Sequence, residues 1–308
     1  MHRRDILRTG LASTAMIGLM QVGTTAQAAD KAPVPAPTSV TAPDGTRLYA
    51  RCWGDGPATL VFLAGWALPS EAWAYQMLSL SGQGFRCIAY DRRGHGRSDD
   101  PGRGYDYDTL AADLGAVLAA FDVRDATIIA HSMSGGEVVR FLSRGTADAA
   151  ARIGRILFLA TTLPCLMAKP DNPTGVPAAM FDGARKQMQA DFPNWIDVNA
   201  DPFVVPATSA GMRTWIKNIM MATTLRAVAD LNKAMVEADF RPELSALSKP
   251  VLFIHGDRDA SAPLPISAGP AAKLVRGARL TVYEGAPHGL FITHIERLNA
   301  DIATFARS

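Results

Sequence analysis

Ile128-Ile129-Ala130-His131-Ser132-Met133-Ser134-Gly135-Gly136 reads as a short apolar strand that runs into a serine, then two glycines, then a helix. A serine at the tip of a sharp strand-to-helix bend is a nucleophile elbow, and the bend admits only small residues two places before and two places after it. Here those places hold Ala130 and Ser134 instead of the usual glycines. Ser132 is therefore the candidate nucleophile. Ser134, flanked by Ser132 and Gly136, is the alternative, but it lies two residues deeper into the helix.

On either side of this stretch the chain alternates. Apolar runs of strand length recur at 48–53, 60–63, 87–90, 127–130, 156–160, 251–254 and 280–283. Most are short, continuous and bounded by turn residues, as expected of strands buried on both faces in a mostly parallel sheet. Helical patterns lie between them at 71–80, 110–121, 137–143 and 292–305. In the second of these, Leu110, Leu114, Val117, Leu118 and Phe121 mark one face of an amphipathic helix. Strand-helix alternation of this kind predicts an α/β, doubly wound architecture.

The alternation stops between 162 and 248. Pro164, Pro170, Pro173, Pro177, Pro193, Pro202 and Pro206 break the first half of that span, and 212–240 is rich in helix formers. An insertion after the sixth core strand is most economically a helical cap over the sheet's carboxyl edge, where open α/β sheets bind ligands. The predicted organisation is a core of 40–161 and 249–308 carrying a cap of 162–248.

Composition agrees with one globular domain. Of 308 residues, 48% are apolar and 19% charged, and the 26 glycines and 20 prolines show no repeat period. At the N-terminus, Arg3 and Arg4 precede an apolar stretch, 11–22, and the small-residue site Ala26-Gln27-Ala28. This looks like a twin-arginine export signal over 1–28, followed by a Pro-rich linker over 29–39. The stretch is too short to span a bilayer of ~30 Å, so no stable membrane insertion is expected after processing, and the location is periplasmic or secreted. Removing Arg3, Arg4, Arg8 and Asp5 with that segment leaves the remainder neutral, with no basic cluster for nucleic acid. A small molecule is the expected partner, and self-association is left open. Cys52, Cys87 and Cys165 lack zinc-site spacing, so no metal is expected. Cys52 and Cys87 fall on neighbouring predicted strands, where free buried thiols are favoured over a disulfide because bridging demands strict Cβ geometry.

A serine hydroxyl needs a base and a carboxylate to make it reactive. His288, in Gly285-Ala286-Pro287-His288-Gly289, follows the last predicted strand and can reach the carboxyl edge. His131 adjoins the serine and is expected to point away; His95, His255 and His294 have ordinary structural explanations. After the penultimate strand, Asp257 and Asp259 are the two candidate acids. Asp259 is better placed, while Asp257 suits a turn-capping role. The order Ser132, Asp259, His288 is the order this architecture uses. The backbone amides of Met133 and Trp66 are the expected oxyanion donors. Trp66, Phe181, Trp195, Phe203 and Phe291 are the aromatics placed to line an apolar pocket, with packing the alternative for each.

Several segments together resemble a known family: Ala64-Gly65-Trp66 with Trp73-Ala74-Tyr75-Gln76-Met77, Asp91-Arg92-Arg93-Gly94-His95-Gly96-Arg97-Ser98, Ser132-Met133 with Gly135-Gly136, Ala238-Asp239-Phe240-Arg241, and Ala286-Pro287-His288-Gly289. They are similar to the α/β-hydrolase branch that contains cofactor-free haloperoxidases and aryl esterases, over about 40–308. The resemblance implies an α/β-hydrolase fold: a mostly parallel eight-stranded sheet, flanking helices and a helical cap. It implies Ser132, Asp259 and His288 as triad, Trp66 and Met133 as oxyanion amides, and no cofactor. Three positions depart from the family pattern. Ala64 replaces the histidine before the oxyanion-loop glycine, Ala130 and Ser134 replace elbow glycines, and Ala67 stands where perhydrolytic members often carry proline. Dehalogenases and epoxide hydrolases of this fold carry aspartate at the elbow, so Ser132 argues against both.

The expected activity is serine-dependent hydrolysis of carboxylic esters, lactones included, of small and largely apolar or aryl substrates through an acyl-enzyme. The alternative within the same chemistry is a cofactor-free haloperoxidase or perhydrolase that forms peracids from carboxylic acids and hydrogen peroxide. A non-catalytic ligand-binding homologue is the alternative from another class.

Overall fold

The strands form one sheet in the order β1-β2-β4-β3-β5-β6-β7-β8. They are β1 (Ser39–Thr41), β2 (Arg47–Trp53), β3 (Ala58–Leu63), β4 (Phe85–Tyr90), β5 (Ala126–His131), β6 (Ile153–Leu159), β7 (Val251–Gly256) and β8 (Arg279–Tyr283). β1 and β2 are antiparallel to their neighbours; every pairing from β4 through β8 is parallel. This is an α/β-hydrolase fold, seen in a computed structural model that describes residues 36–308 as one unit. The predicted export segment, 1–28, and most of the linker lie outside the described residues.

Continuous apolar runs become central strands because both faces are covered. All six residues of β5 are buried, as are all six of β7. Helices α1 (Ala74–Ser81), α2 (Tyr107–Ala120), α3 (Ser134–Arg144) and α4 (Ala147–Ala150) follow in the first half. The stripe Leu110, Leu114, Val117 and Leu118 is buried as its period requires. Asp106 starts α2 by accepting the Thr109 amide at 2.9 Å, an N-cap bond that satisfies one of the helix's orphan donors.

Between β6 and β7 lie α5 (Ala178–Ala190), α6 (Phe192–Asn199), α7 (Ala210–Met220), α8 (Leu225–Glu237) and α9 (Arg241–Ser245). The expectation that prolines break the first half of this span holds for Pro164, Pro170, Pro173 and Pro206, which lie outside the helices, and is corrected for three others. Pro177 is the residue before α5, and Pro193 and Pro202 sit in the first turns of α6 and of the short helix Asp201–Phe203. At that position the missing N–H costs no hydrogen bond and the fixed φ suits the helix, so these prolines start helices. Helices α5 to α8 face the carboxyl edge of the sheet, whereas α9 packs beside α3 and α10 (Ala268–Leu274). The chain ends in α11 (Leu290–Thr293) and α12 (Ile295–Ala306), so the pattern predicted as one helix is interrupted at His294.

The segment Asp91–Ser98 fastens the cap helices to the core. The Thr224 amide donates to the Gly94 carbonyl at 2.9 Å, and the Gly96 amide donates to Ala222 at 2.8 Å. Cys52 pairs with Ile88 and Cys87 with Trp53, so the two cysteines project from opposite faces of the sheet. All three cysteines are free, and burial pushes the Cys87 thiol up to about 12.

Candidate active site

Three loops at the carboxyl edge bring the candidate residues together. Ser132 follows β5 and stands at φ 57°, in the left-handed region that costs a non-glycine residue conformational energy. The bend is held because the Ser132 amide donates to the Leu159 carbonyl at 2.9 Å and because its neighbours have no room to shift. At Gly136, any Cβ would come within 2.5 Å of the Tyr107 ring, so the helix after the serine approaches α2 only because that position lacks a side chain. The hydroxyl of Ser134 is buried and directed at the carbonyls of His131, 2.8 Å, and Leu63, 3.1 Å. It caps the turn and does not face the cavity, which leaves Ser132 as the accessible hydroxyl.

The Ser132 Oγ lies 3.0 Å from Nε2 of His288, and His288 Nδ1 lies 2.7 Å from Oδ2 of Asp259. All three residues are at most 5% exposed. A carboxylate only accepts hydrogen bonds, so the proton sits on Nδ1 and the Nε2 lone pair points at the serine. The other oxygen of Asp259 accepts the amides of Ser261, 2.9 Å, and Ala262, 2.7 Å. Burial pushes the Asp259 carboxyl upward, but the neighbouring His288 and hydrogen bonds from His255 and His288 outweigh it and hold the group below the ordinary carboxylate range. Asp257 accepts the Gly285 amide at 2.7 Å, the turn role expected of it.

The remaining histidines divide. His95 is buried, with Nδ1 2.9 Å from the Arg93 carbonyl, and His294 lies against Tyr283. His131 does not simply point away. Its ring packs against that of His288, tilted by 49° with centroids 4.8 Å apart, and its Nε2 lies 3.2 Å from the His288 carbonyl. Burial and the nearby His288 hold it well below the ordinary imidazole range, so it supports the base as a neutral ring. His255 is also more than structural filling: its Nε2 lies 2.7 Å from the Ala262 carbonyl and 3.2 Å from Asp259 Oδ2. Its place at the carboxyl end of β7, four residues before Asp259, is the sequence signal for that contact.

Among the described residues, the amides of Trp66 and Met133 donate to no protein acceptor. Two unpaired donors beside the serine are what an oxyanion needs. The loop bearing Trp66 is held by Arg92, whose guanidinium donates to the carbonyls of Ala64, 2.6 Å, and Gly65, 3.2 Å, and pairs with Glu137 of α3. Arg92 thus ties the oxyanion loop to the helix that follows the elbow, a role the sequence pattern did not single out. The Trp66 indole donates to the Val228 carbonyl of α8 at 2.9 Å.

In front of these groups lies a cavity of about 330 Å³. Its floor includes Trp66, His131, Ser132 and His288, and its walls come from α5 to α8 and the segment around Phe203. Of the expected aromatics, Trp66, Phe181, Trp195 and Phe203 line it. Phe291 does not. It is 1% exposed, with its ring centroid 4.9 Å from His131 and 5.6 Å from Trp73. The short turn of α11 directly after Gly289 rotates it into the core beneath the site.

Comparison with known proteins agrees with this geometry. A model of the alpha/beta hydrolase family matches residues 60–301. The chain is 39% identical over 280 residues to a non-heme chloroperoxidase of Streptomyces lividans, covering 88% of this chain and 99% of that one. It is 35% identical over 278 residues to a bifunctional esterase/perhydrolase of Acinetobacter calcoaceticus, with 87% and 99% covered. Its fold overlays that of a bromoperoxidase from Bacillus anthracis with a TM-score of 0.81 and 29% identity, over 85% of this chain and 96% of the other. The chain belongs to the α/β-hydrolase family and is a hydrolase within it, similar to the non-heme haloperoxidases and esterase/perhydrolases.

Proposed function

We propose that the protein is a serine carboxylic-ester hydrolase acting on small, largely apolar or aryl esters and on lactones. The observation that carries this reading is the continuous relay of Ser132 Oγ to His288 Nε2 at 3.0 Å and His288 Nδ1 to Asp259 at 2.7 Å, at the floor of a mostly apolar cavity. Ser132 Oγ attacks the ester carbonyl carbon while its proton passes to His288 Nε2. The carbonyl oxygen takes up the electron pair, and the Trp66 and Met133 amides stabilise it. Collapse re-forms the carbonyl and expels the alcohol, which leaves with the proton from His288. Water then attacks the acyl-enzyme by the same route and releases the acid.

The test is hydrolysis of a small aryl ester by Ser132→Ala. Turnover falls by at least about 10⁴-fold with the fold intact; retained turnover refutes the assignment. Perhydrolysis is the second reading, favoured by the likeness to the bifunctional esterase/perhydrolase of Acinetobacter calcoaceticus. Against it stands Ala67, at φ 57°, a backbone conformation that a proline ring, locked near −65°, does not reach. Halogenation supported by peroxide and acetate at a rate comparable with ester cleavage would decide for the second reading. Export by the 1–28 segment belongs to the same proposal; a mature N-terminus at Ala29 is its signature.

A further inference from the structure

Among the cap helices, one buried amide side chain that lines the cavity has its partners only half supplied. Asn232, on α8, is 7% exposed and lines the cavity. Its Oδ1 accepts a hydrogen bond from Arg185 Nη1 at 3.2 Å. A guanidinium only donates, so this contact fixes which end of the amide is oxygen and leaves the Nδ2 hydrogens on the opposite side. Arg185 is itself held by Asp182, and neither of those two residues lines the cavity. Among the described residues Nδ2 has no protein partner, although it is not sealed from solvent. Such a donor can bond solvent in the free protein and becomes costly only when a ligand displaces that solvent without offering an acceptor.

Thr162 also lines the cavity, and its hydroxyl has no protein partner among the described residues, but two longer polar side chains on the cap helices are already engaged. Lys217 pairs with Asp197 at 2.8 Å, and Asn199 donates to the Trp195 carbonyl at 2.7 Å. Asn232 also has a fixed relation to the chemistry. It lies one helical turn, about 6 Å, beyond Val228, whose carbonyl holds the Trp66 indole.

We propose that Asn232 is a specificity-determining residue whose Nδ2 donates to an acceptor oxygen on the substrate, so that the preferred substrates are esters or lactones whose cap-buried limb carries a carbonyl or ether oxygen several bonds from the scissile carbonyl. This inference rests on the ester-hydrolase reading above. A purely hydrocarbon limb fills the same volume but leaves the amide unpaired in the Michaelis complex and in the transition state alike.

The experiment compares kcat/KM for matched pairs on the full chain: p-nitrophenyl 4-oxopentanoate and 5-oxohexanoate against pentanoate and hexanoate, and 3-oxobutyl acetate against butyl acetate. At least one oxygen-bearing member is preferred about tenfold, the value of one added hydrogen bond. Asn232→Asp keeps the shape and the pairing with Arg185 but has no donor, and Asn232→Leu removes both; in each, the preference falls to about one. Equal kcat/KM within every pair in the wild-type protein overturns the inference and needs no variant to fold. So does a preference that survives both substitutions. Failure of the underlying reading looks different: no ester of either kind is cleaved and Ser132 takes no fluorophosphonate label.

Discussion

The two sides of the cavity are held by different forces. On the sheet side, β5 buries all six of its residues and delivers Ser132 into a bend where each neighbour is fixed by a backbone bond or by lack of space. On the cap side, α5 has thirteen residues and buries only Met188, and Phe181, Trp195 and Phe203 meet the cavity half-buried. Ser132, His288 and Asp259 are thus positioned by a close-packed interior with a strained but over-determined turn, whereas the facing side of the cavity is a thin wall of apolar contacts. Rigidity is concentrated where tenths of an ångström matter to proton transfer, and adaptability where a substrate limb must enter.

If that division is right, substitutions on the two sides separate in kinetics. Asp259→Asn keeps the shape of the sheet-side relay but favours the wrong tautomer of His288. Its kcat for aryl-ester cleavage falls about 10⁴-fold with thermal stability little changed; a loss below tenfold would break the comparison. Phe181→Ala, on the cap side, raises KM about tenfold and leaves kcat within about twofold, because it removes binding shared by ground state and transition state. A kcat loss as large as that of Asp259→Asn would show that the cap also aligns the chemistry.

The seam between the two sides gives a pH prediction. His95, in the segment that bonds to Ala222 and Thr224, is held by burial and by Arg92 at about 3 against an ordinary 6.5. The unfolded chain therefore binds this proton first. The stability is complete above pH 6.5 and is lost as the pH falls towards 3, by at most about 1.4 kcal/mol per pH unit for this group. Denaturant titrations of His95→Asn between pH 4 and 6 show a slope smaller by about that amount. An unchanged slope means that the imidazole is not buried neutral at the seam.

The same contrast explains what could be read from the sequence. The central strands were legible because burial on both faces leaves an unbroken apolar run, and the elbow because its small residues are dictated by backbone crowding. β1 was not legible: it has three residues, one of them buried, next to a proline-rich stretch. In the cap, Pro177, Pro193 and Pro202 looked like breakers because composition does not distinguish a proline inside a helix from one at its first turn. At the site, Ser132, His288 and Asp259 were placed by their positions after strands. Arg92, His131 and His255 were not, since each acts by orienting another group and carries no motif of its own. Phe291 takes the packing alternative, because the residues after His288 coil at once and put its ring under the site and not in it.

The central claim, that Ser132 is the one nucleophile of a hydrolytic relay, is tested most directly by reacting the folded protein with a fluorophosphonate probe and mapping the adduct by peptide mass spectrometry. The predicted result is a single adduct on Ser132, absent from Ser132→Ala although Ser134 is still present two residues away. An adduct on Ser134 or elsewhere, or full ester turnover with Ser132 unlabelled, would contradict it.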